Sequence, residues 1–549
     1  RLREALEYAK ARIREIQAAT AERLGPVEAQ IFEPQVLMLE DSDLVDGAIE
    51  YIRENHLGAA RAFELRMLEF QSALTRAGHP MGLDRLNDML DVQVRVVRRL
   101  LGLPDPAIAP ADGDQKVVLF ARDLTPTITV QLDRGAVLGI ATDAGTRTSH
   151  SAILARSLGL PAVVSLGDLS ERITTGQEVI LDGRGGRVIV EPEEREKRLY
   201  RERDITVREW EQELLLLAHL DAVTADHEAV VLRANIDMPL EAQTARDHGA
   251  VGVGLFRTEF LVVGRNTMPG EEEQYRAYRQ VAEAFPEGAV IIRSYDLGGD
   301  KFPLFLHMPP EENPFLGWRA IRVCLDTPEL FRTQLRAMLR ATVHGDVRIM
   351  LPLVNEVDEI LRTRALLDEE AQKLRADGID VAPDYKLGIM IETPAAAMSA
   401  RELARHVDFL SIGTNDLVQY SLAVDRGNAR LAPLYNPFHP GVVRMIREVV
   451  EAGREAGIEV GVCGELAANP LGAFMLLGLG IRHLSVGAAS LLEIKKVIRS
   501  IPAASAEEAV VEVARAERSQ DVVRALSRGM SRWLDLSLFA GRWNLSEAQ

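Results

Sequence analysis

KLGIMIETPAAA (residues 386–397) and, a few positions on, VDFLSIGTNDLVQY (residues 407–420) decide the fold. Each begins with a run of apolar, β-favouring residues, stops at a polar group and turns into a helical pattern. In the first, Thr393 is a helix cap and Pro394 takes the first helical position, where its missing N–H is no loss. The same rhythm extends in both directions from Val231 onward. VLRANI, VGVGLF, AVIIRSYD and VRIMLPLV precede the pair; EVGVCGE and HLSVGA follow it. Eight parallel strand candidates alternating with helices over about 300 residues predict a (β/α)8 TIM barrel rather than an open sheet.

Upstream the texture changes twice. Residues 1–103 read as helix after helix, with apolar residues at three-to-four spacing in LREALEYAKARIREIQAAT, DLVDGAIEYIRENH, GAARAFELRMLEFQSALTRAG and GLDRLNDMLDVQVRVVRRLLG, so a helical bundle is predicted. Pro34, inside IFEPQVLMLED, is expected to break or kink one of these patterns, or to sit in a loop between two helices. After the Pro/Gly/Asp-rich LPDPAIAPADGD, short β runs (KVVLFA, AVLGIAT, PAVVSL, EVILDG, RVIVEP) alternate with short helices, giving a compact α/β domain over residues 104–192. The charged stretch 193–222 reads as a solvated linker helix, and residues 223–549 hold the barrel.

The totals narrow the function classes. A chain of 549 residues with 47% hydrophobic content forms several globular domains. No apolar run approaches the roughly 20 residues of a spanning helix, and no basic-then-apolar leader opens the chain, so no membrane insertion and a cytoplasmic location are expected. The formal net charge of −18 argues against nucleic acid and for a basic protein partner. With only Cys324 and Cys463 present, there is no disulfide framework and no thiolate metal cage, so any metal is expected to be held by oxygen.

Chemistry in such barrels sits where strands end. Arg257 follows the second strand run, Arg293 and Lys301 the third, Glu392 the fifth, Asn415 and Asp416 the sixth, and Cys463 the seventh; Arg319 and Arg426 lie in GWRAIR and VDRGN. Arginine forks match phosphate oxygens in pairs, while Mg²⁺ takes a few carboxylates and leaves its other positions to substrate and water. The arginines are therefore expected to hold a phosphorylated anion, and Glu392 and Asp416 a divalent cation. Two readings stay open at Glu392, metal ligand or polar residue ahead of a helix start, and two at Cys463, a thiol at the mouth or a small hydrophobe. Cys324, on a helical pattern, reads as structural.

In DAGTRTSHSAILARSL, Ser149 or Thr148 is a helix cap and His150 falls in the first turn. The helix dipole there disfavours imidazolium and favours an attached anion, so one location suits both a neutral nucleophilic ring and its phosphorylated form. Nucleophile and anion site lie in different domains, so the small domain is expected to swing onto the barrel mouth.

Taken together, IFEPQVLMLED, DAGTRTSH, FRTEFL, DLGGDK, ENPFLGWRAIR, IETPAAA, SIGTNDLVQYSLAVDRGN and GVCGELA resemble enzyme I of the bacterial phosphoenolpyruvate-dependent sugar phosphotransferase system, the phosphoenolpyruvate–protein phosphotransferases. The resemblance spans nearly the whole chain. It implies that His150 takes the phosphoryl group of phosphoenolpyruvate and passes it to a histidine of the carrier protein HPr. It also implies that Arg257, Arg293 and Arg426, with Asn415, grip the substrate; that Glu392 and Asp416 bind Mg²⁺; and that Cys463 protonates the enolate carbon. Arg319 and Lys301 are implied as further contacts and Thr129 as a hydrogen-bond partner of His150. The helical domain is implied to dock HPr, and the barrel to form a homodimer. Acidic Glu40, Asp41 and Asp43 near Pro34 suit a basic carrier.

Two features depart from the family pattern. Thr146 stands where the family has glycine in DAGGRTSH, and the usual opening strand with its S-P-G motif is absent ahead of Arg1, so the small domain is expected to lack one strand. The alternatives are a dikinase-type enzyme using phosphoenolpyruvate and a swivelling histidine, the nitrogen-branch paralogue of enzyme I, and a non-catalytic module that only docks HPr.

Overall fold

The computed structural model describes the chain apart from residues 25–28, 30–31, 77–81, 105–115, 126–127, 129–131, 133–134, 146–154, 156–159, 184, 263–266, 299–310, 427, 429 and 540–549. The chain divides into two compact units, Arg1–Asp204 and Ile205–Gln549.

The first unit opens with helices α1 (Leu2–Leu24), α2 (Glu33–Glu40), α3 (Ser42–Glu54), α4 (Ala59–Arg76) and α5 (Gly82–Leu101). Their apolar stripes meet around Leu6, Ile13, Phe32, Phe63, Met67 and Val96. Pro34 does not kink a helix. It lies in the first turn of α2, where the backbone N–H has no intrahelical partner, so it starts a helix at no hydrogen-bond cost. Asp41 then caps α3, its Oδ1 accepting the N–H of Leu44 at 3.1 Å.

A small α/β layer follows. Strands β1 (Val117–Ala121), β2 (Val137–Thr142) and β3 (Ala162–Val163) pair in parallel in that order, and β4 (Val179–Asp182) and β5 (Arg187–Val190) form an antiparallel hairpin. These are the five β runs of the sequence. The short helix α6 (Leu169–Arg172) is tied down by Asp143, whose Oδ1 accepts the N–H of Ser170 at 2.9 Å. His150 and Thr129 lie outside the described residues, as does the proposed cap of the histidine helix.

The charged stretch becomes one helix, α7 (Glu194–Leu215), whose only buried residue is Trp210. In the second unit Trp210 packs edge-on against Phe539 with ring centroids 5.7 Å apart, and the Lys496 ammonium sits over its ring. Past the helix end, buried Lys495 donates to the carbonyls of Ala218 and Gly249, each at 3.0 Å, which staples the chain after α7 to the barrel wall.

The second unit is the (β/α)8 barrel expected from the sequence. Strands β6 (Val231–Ile236), β7 (Val253–Arg257), β8 (Val290–Arg293), β9 (Val347–Leu351), β10 (Lys386–Ile391), β11 (Phe409–Ile412), β12 (Glu459–Val462) and β13 (His483–Gly487) are all parallel, and β13 pairs with β6 to close the ring. Alternate residues face opposite ways. Leu410 and Ile412 of β11 join the large core beneath the surrounding helices, whereas Phe409 packs inside the ring with Leu255, Ile291, Met350, Met390 and Cys463. This inner cluster packs the middle of the barrel, and the charged groups gather toward its two ends. Among the described residues no helix is long and apolar enough to cross a membrane.

Candidate active site at the barrel mouth

The inward register that buries Leu255, Ile291 and Met390 carries Arg257, Arg293 and Glu392 to the rim two residues later. Strand geometry alone brings them together, although they are far apart in the chain.

Three guanidiniums and five carboxylates meet there. Arg257, half-buried, donates to Asp237 Oδ1 at 3.0 Å. Buried Arg293 pairs with Glu259 through Nη2 and with Asp296 through Nη1 at 3.3 Å. Arg319 forks onto Asp296 at 2.9 and 3.0 Å, donates to the Tyr420 hydroxyl at 3.1 Å and lies 3.7 Å from Asp416 Oδ1. Burial opposes the charge on Arg293 and Arg319, yet the acids facing them hold both firmly protonated, Glu259 and Asp296 for Arg293, Asp296 and Asp416 for Arg319.

Glu392 lies just ahead of a helix start and is also buried at the rim. Thr393 does cap the following helix, accepting the N–H of Ala396 at 3.2 Å, but Glu392 takes no part in the cap. Its carboxylate is buried and accepts the N–H of Leu353 at 2.8 Å. Burial, then the nearby Asp416 and Asp296 charges, push its pKa up to about 7. Gly413 leaves room for it: a Cβ there would stand 2.7 Å from Glu392 Oε1.

Asp416 sits in the first turn of the helix Thr414–Leu422, where the helix end favours negative charge, and is buried. Among the described residues no donor reaches its Oδ1. Asn415 holds the next loop, accepting the N–H of Glu465 at 2.9 Å, while Tyr435 donates to its carbonyl at 3.1 Å. Arg426 is exposed, and its backbone N–H bonds Gln419 Oε1 at 3.1 Å. Lys301 falls outside the described residues.

The backbone beside these groups is held in unusual conformations. Leu353, which donates to Glu392, has φ 57°, and Ala320, next to Arg319, has φ 56° and ψ −128°. Non-glycine residues adopt such angles only where their surroundings impose them, and they concentrate at functional sites.

Cys463 is fully enclosed at the end of β12. Its Sγ accepts from the Ser411 hydroxyl at 3.3 Å, and burial raises its pKa to about 11, so it is a protonated thiol at neutral pH. Arg293 and Arg257 are close enough to act on its charge. Cys324 is buried on the helix Ile321–Asp326, with Sγ directed at the carbonyl of Tyr295.

Several participants escaped sequence reasoning. Asp237, Glu259 and Asp296 each adjoin an arginine segment, but which acid meets which guanidinium depends on how neighbouring strands pair. Asn235, two residues before Asp237 on the same inward face, donates to the carbonyls of Cys463 at 2.9 Å and Ser485 at 3.3 Å. The period-two register of VLRANID was the signal that could have found it.

A divalent cation suits this set on three counts. The donors are hard oxygens, one of them is buried without a hydrogen bond, and Glu392 is destabilised as a carboxylate by its acidic neighbours. Among the described residues no group of three or more His, Cys, Asp or Glu side chains is arranged to hold a metal. Two carboxylates are what Mg²⁺ typically asks of a protein when substrate oxygens and water complete its octahedron.

Three family models match the chain in order: the N-terminal domain of PEP-utilising enzymes over residues 1–85, their mobile domain over 113–186, and their PEP-binding domain over 211–503. Among curated proteins, the phosphoenolpyruvate-protein phosphotransferase of Staphylococcus carnosus is 40% identical across 94% of this chain and 90% of its own length. The protein of that name from Priestia megaterium is 41% identical across 92% and 88%, and that from Geobacillus stearothermophilus 40% across 95% and 91%.

Proposed function

Since the chain belongs to the phosphoenolpyruvate–protein phosphotransferase family, we propose that it transfers the phosphoryl group of phosphoenolpyruvate to its own His150, releases pyruvate, and hands the group on to a histidine of the carrier protein HPr. The observation that carries this reading is the convergence at one barrel rim of Arg257, Arg293 and Arg319 with the buried carboxylates Glu392 and Asp416.

The arginines, with Asn415, Arg426 and Lys301, bind the phosphate and carboxylate of the substrate. Their acidic partners Asp237, Glu259 and Asp296 fix each fork before the substrate arrives, so little reorganisation is needed during reaction. Glu392 and Asp416 would hold Mg²⁺, which would offset negative charge on the phosphate and the enolate oxygen. A ring nitrogen of His150, oriented with help from Thr129, donates its lone pair to phosphorus. The P–O bond to the enol oxygen breaks, and its electron pair stays on that oxygen. As the carbonyl forms, the former double-bond pair takes the proton from the Cys463 sulfur, and pyruvate leaves. The thiol's high pKa keeps that proton in place until the enolate needs it.

The reading divides the chain into an HPr-docking bundle (residues 1–103), a phosphohistidine domain (104–192), a linker helix (193–222) and a barrel that also forms the homodimer (223–549). Acidic Glu40, Asp41 and Asp43 on the bundle suit a basic carrier, and the site of action is the cytoplasm.

The test is intact mass after incubation with phosphoenolpyruvate and Mg²⁺ under conditions that spare acid-labile phosphohistidine. One phosphoryl group should appear on the parent chain and none on His150→Ala. Undiminished labelling of the variant sinks the assignment, and labelling that requires ATP points to a dikinase-type enzyme.

A further inference from the structure

Cys463 is held from two sides. Asn235 fixes the backbone: Nδ2 donates to the Cys463 and Ser485 carbonyls, and the Ser485 hydroxyl donates to Asn235 Oδ1 at 2.7 Å, which locks the amide in one orientation. Ser411 fixes the side chain. It is buried on the inward face of β11, next to Phe409 in the inward register, and its hydroxyl donates to Cys463 Sγ at 3.3 Å. The sulfur's other polar neighbour, the Ile412 carbonyl, is 3.8 Å away and a weak acceptor for a thiol proton.

A serine on this face is an expensive choice for a filler. It lines a small inner cavity with Ile291 and Phe409 as well as Arg233 and Glu459, yet its hydroxyl bonds the Cys463 sulfur, and alanine would fit the same space without a hydroxyl to satisfy. The hydroxyl finds its acceptor in the one reactive atom of the cluster.

We propose that Ser411 is a positioning residue for the thiol of Cys463, occupying one sulfur lone pair so that the S–H stays directed at the substrate carbon. This rests on Cys463 being the proton donor. In that step the S–H bond breaks, its electron pair remains on sulfur, and a C–H bond forms at the enolate carbon from the former double-bond pair. The enolate oxygen becomes the ketone oxygen. The Ser411 O–H then faces a thiolate, where a hydrogen bond to a charged acceptor is stronger than one to a thiol, until solvent returns the proton. Ser411 thus contributes more at the end of the transfer than at its start, which is the condition for accelerating it.

The experiment measures steady-state pyruvate release by the full chain with HPr supplied as the phosphoryl acceptor, and the face of carbon 3 that is protonated, read from stereospecifically deuterated phosphoenolpyruvate turned over in tritiated water. Ser411→Ala should lower kcat by about tenfold to a hundredfold with KM for phosphoenolpyruvate changed by no more than about twofold. It should also scramble the methyl stereochemistry, because a misdirected thiol lets water compete from both faces. Ser411→Thr, which keeps the hydroxyl, should restore most of the turnover and the single face. If Ser411→Ala matches the parent in rate and stereochemistry while Cys463→Ala is defective, the role of Ser411 is refuted and that of Cys463 stands. If Cys463→Ala itself keeps the parent rate and face, the proton-donor reading falls, and this inference with it.

Discussion

The two ends of the barrel are built from the same eight strands and the same residue types, yet their charges are treated in opposite ways. At the N-terminal end, Arg233 and Arg348 share Glu459, and Arg348 also forks onto Asp346 at 2.7 Å. His483 packs against the same carboxylate at 3.2 Å. Burial works against Glu459, but Arg233, His483 and Arg348 pull its pKa down to about 2. At the C-terminal end, three arginines face five acids, Asp416 Oδ1 is buried without a hydrogen bond, Glu392 is pushed up to about 7, and two non-glycine residues hold positive φ. At one end the charged groups pair with one another, although among the described residues His483 Nδ1 is buried without a hydrogen bond. The other leaves a deficit that a cation and a phosphorylated anion are suited to fill, and pre-organised sites characteristically carry such strain.

That contrast breaks if the bottom can be disturbed without loss of stability. Glu459→Gln strips Arg233 of its acidic partner in a largely enclosed place and should destabilise the barrel by about 3–5 kcal/mol, read by chemical denaturation, with KM for phosphoenolpyruvate unchanged. A variant of parental stability but weaker substrate binding would reverse the assignment of the two ends.

The mouth should respond in the other currency. Asp416→Asn keeps the shape of a side chain whose Oδ1 makes no hydrogen bond, and Arg319 retains Asp296. Turnover with Mg²⁺ should fall by about 10²–10³-fold while the melting temperature stays level or rises. A large loss of stability here would show Asp416 to be a structural acid.

The smallest effect sharpens the comparison through pH. Burial, opposed by the Glu459 charge but aided by Arg233 and Arg348, lowers the pKa of His483 from 6.5 to about 4. As pH falls below 6.5 the unfolded chain takes up a proton the fold refuses, so stability drops until about pH 4 and then levels. Glu459 adds its own loss from 4.5 down to about 2, because there the unfolded carboxylate is protonated before the folded one. Replacing His483 with Asn should remove the upper part of this acid slope, at most about 3 kcal/mol, and leave the lower part. An unchanged slope between pH 6.5 and 4 would show that the histidine protonates freely in the fold.

Individual residues show how far the chain's text reaches. VLRANI, KLGIMI and the other six barrel runs announce themselves because a strand buried on both faces must be almost continuously apolar. Arg257, Arg293 and Glu392 stand out because a charged residue at the end of such a run needs a reason to be there. Pro34 misleads for a local cause: helix break and helix start look alike when a proline follows a helical pattern. Asp296, Asn235 and Ser411 are unremarkable in the sequence, since the arginine, carbonyl and sulfur they serve belong to other strands.

Strand and helix periods, the apolar filling of the barrel and the placing of charged residues at strand ends follow from the sequence alone, because they depend on neighbours within a few residues. Which acid answers which arginine, which carboxyl is left without a hydrogen bond and which hydroxyl meets the thiol were decided only by the pairing and register of neighbouring strands. Electrostatic energy depends on distance through space, and strand pairing and register, not chain separation, set those distances.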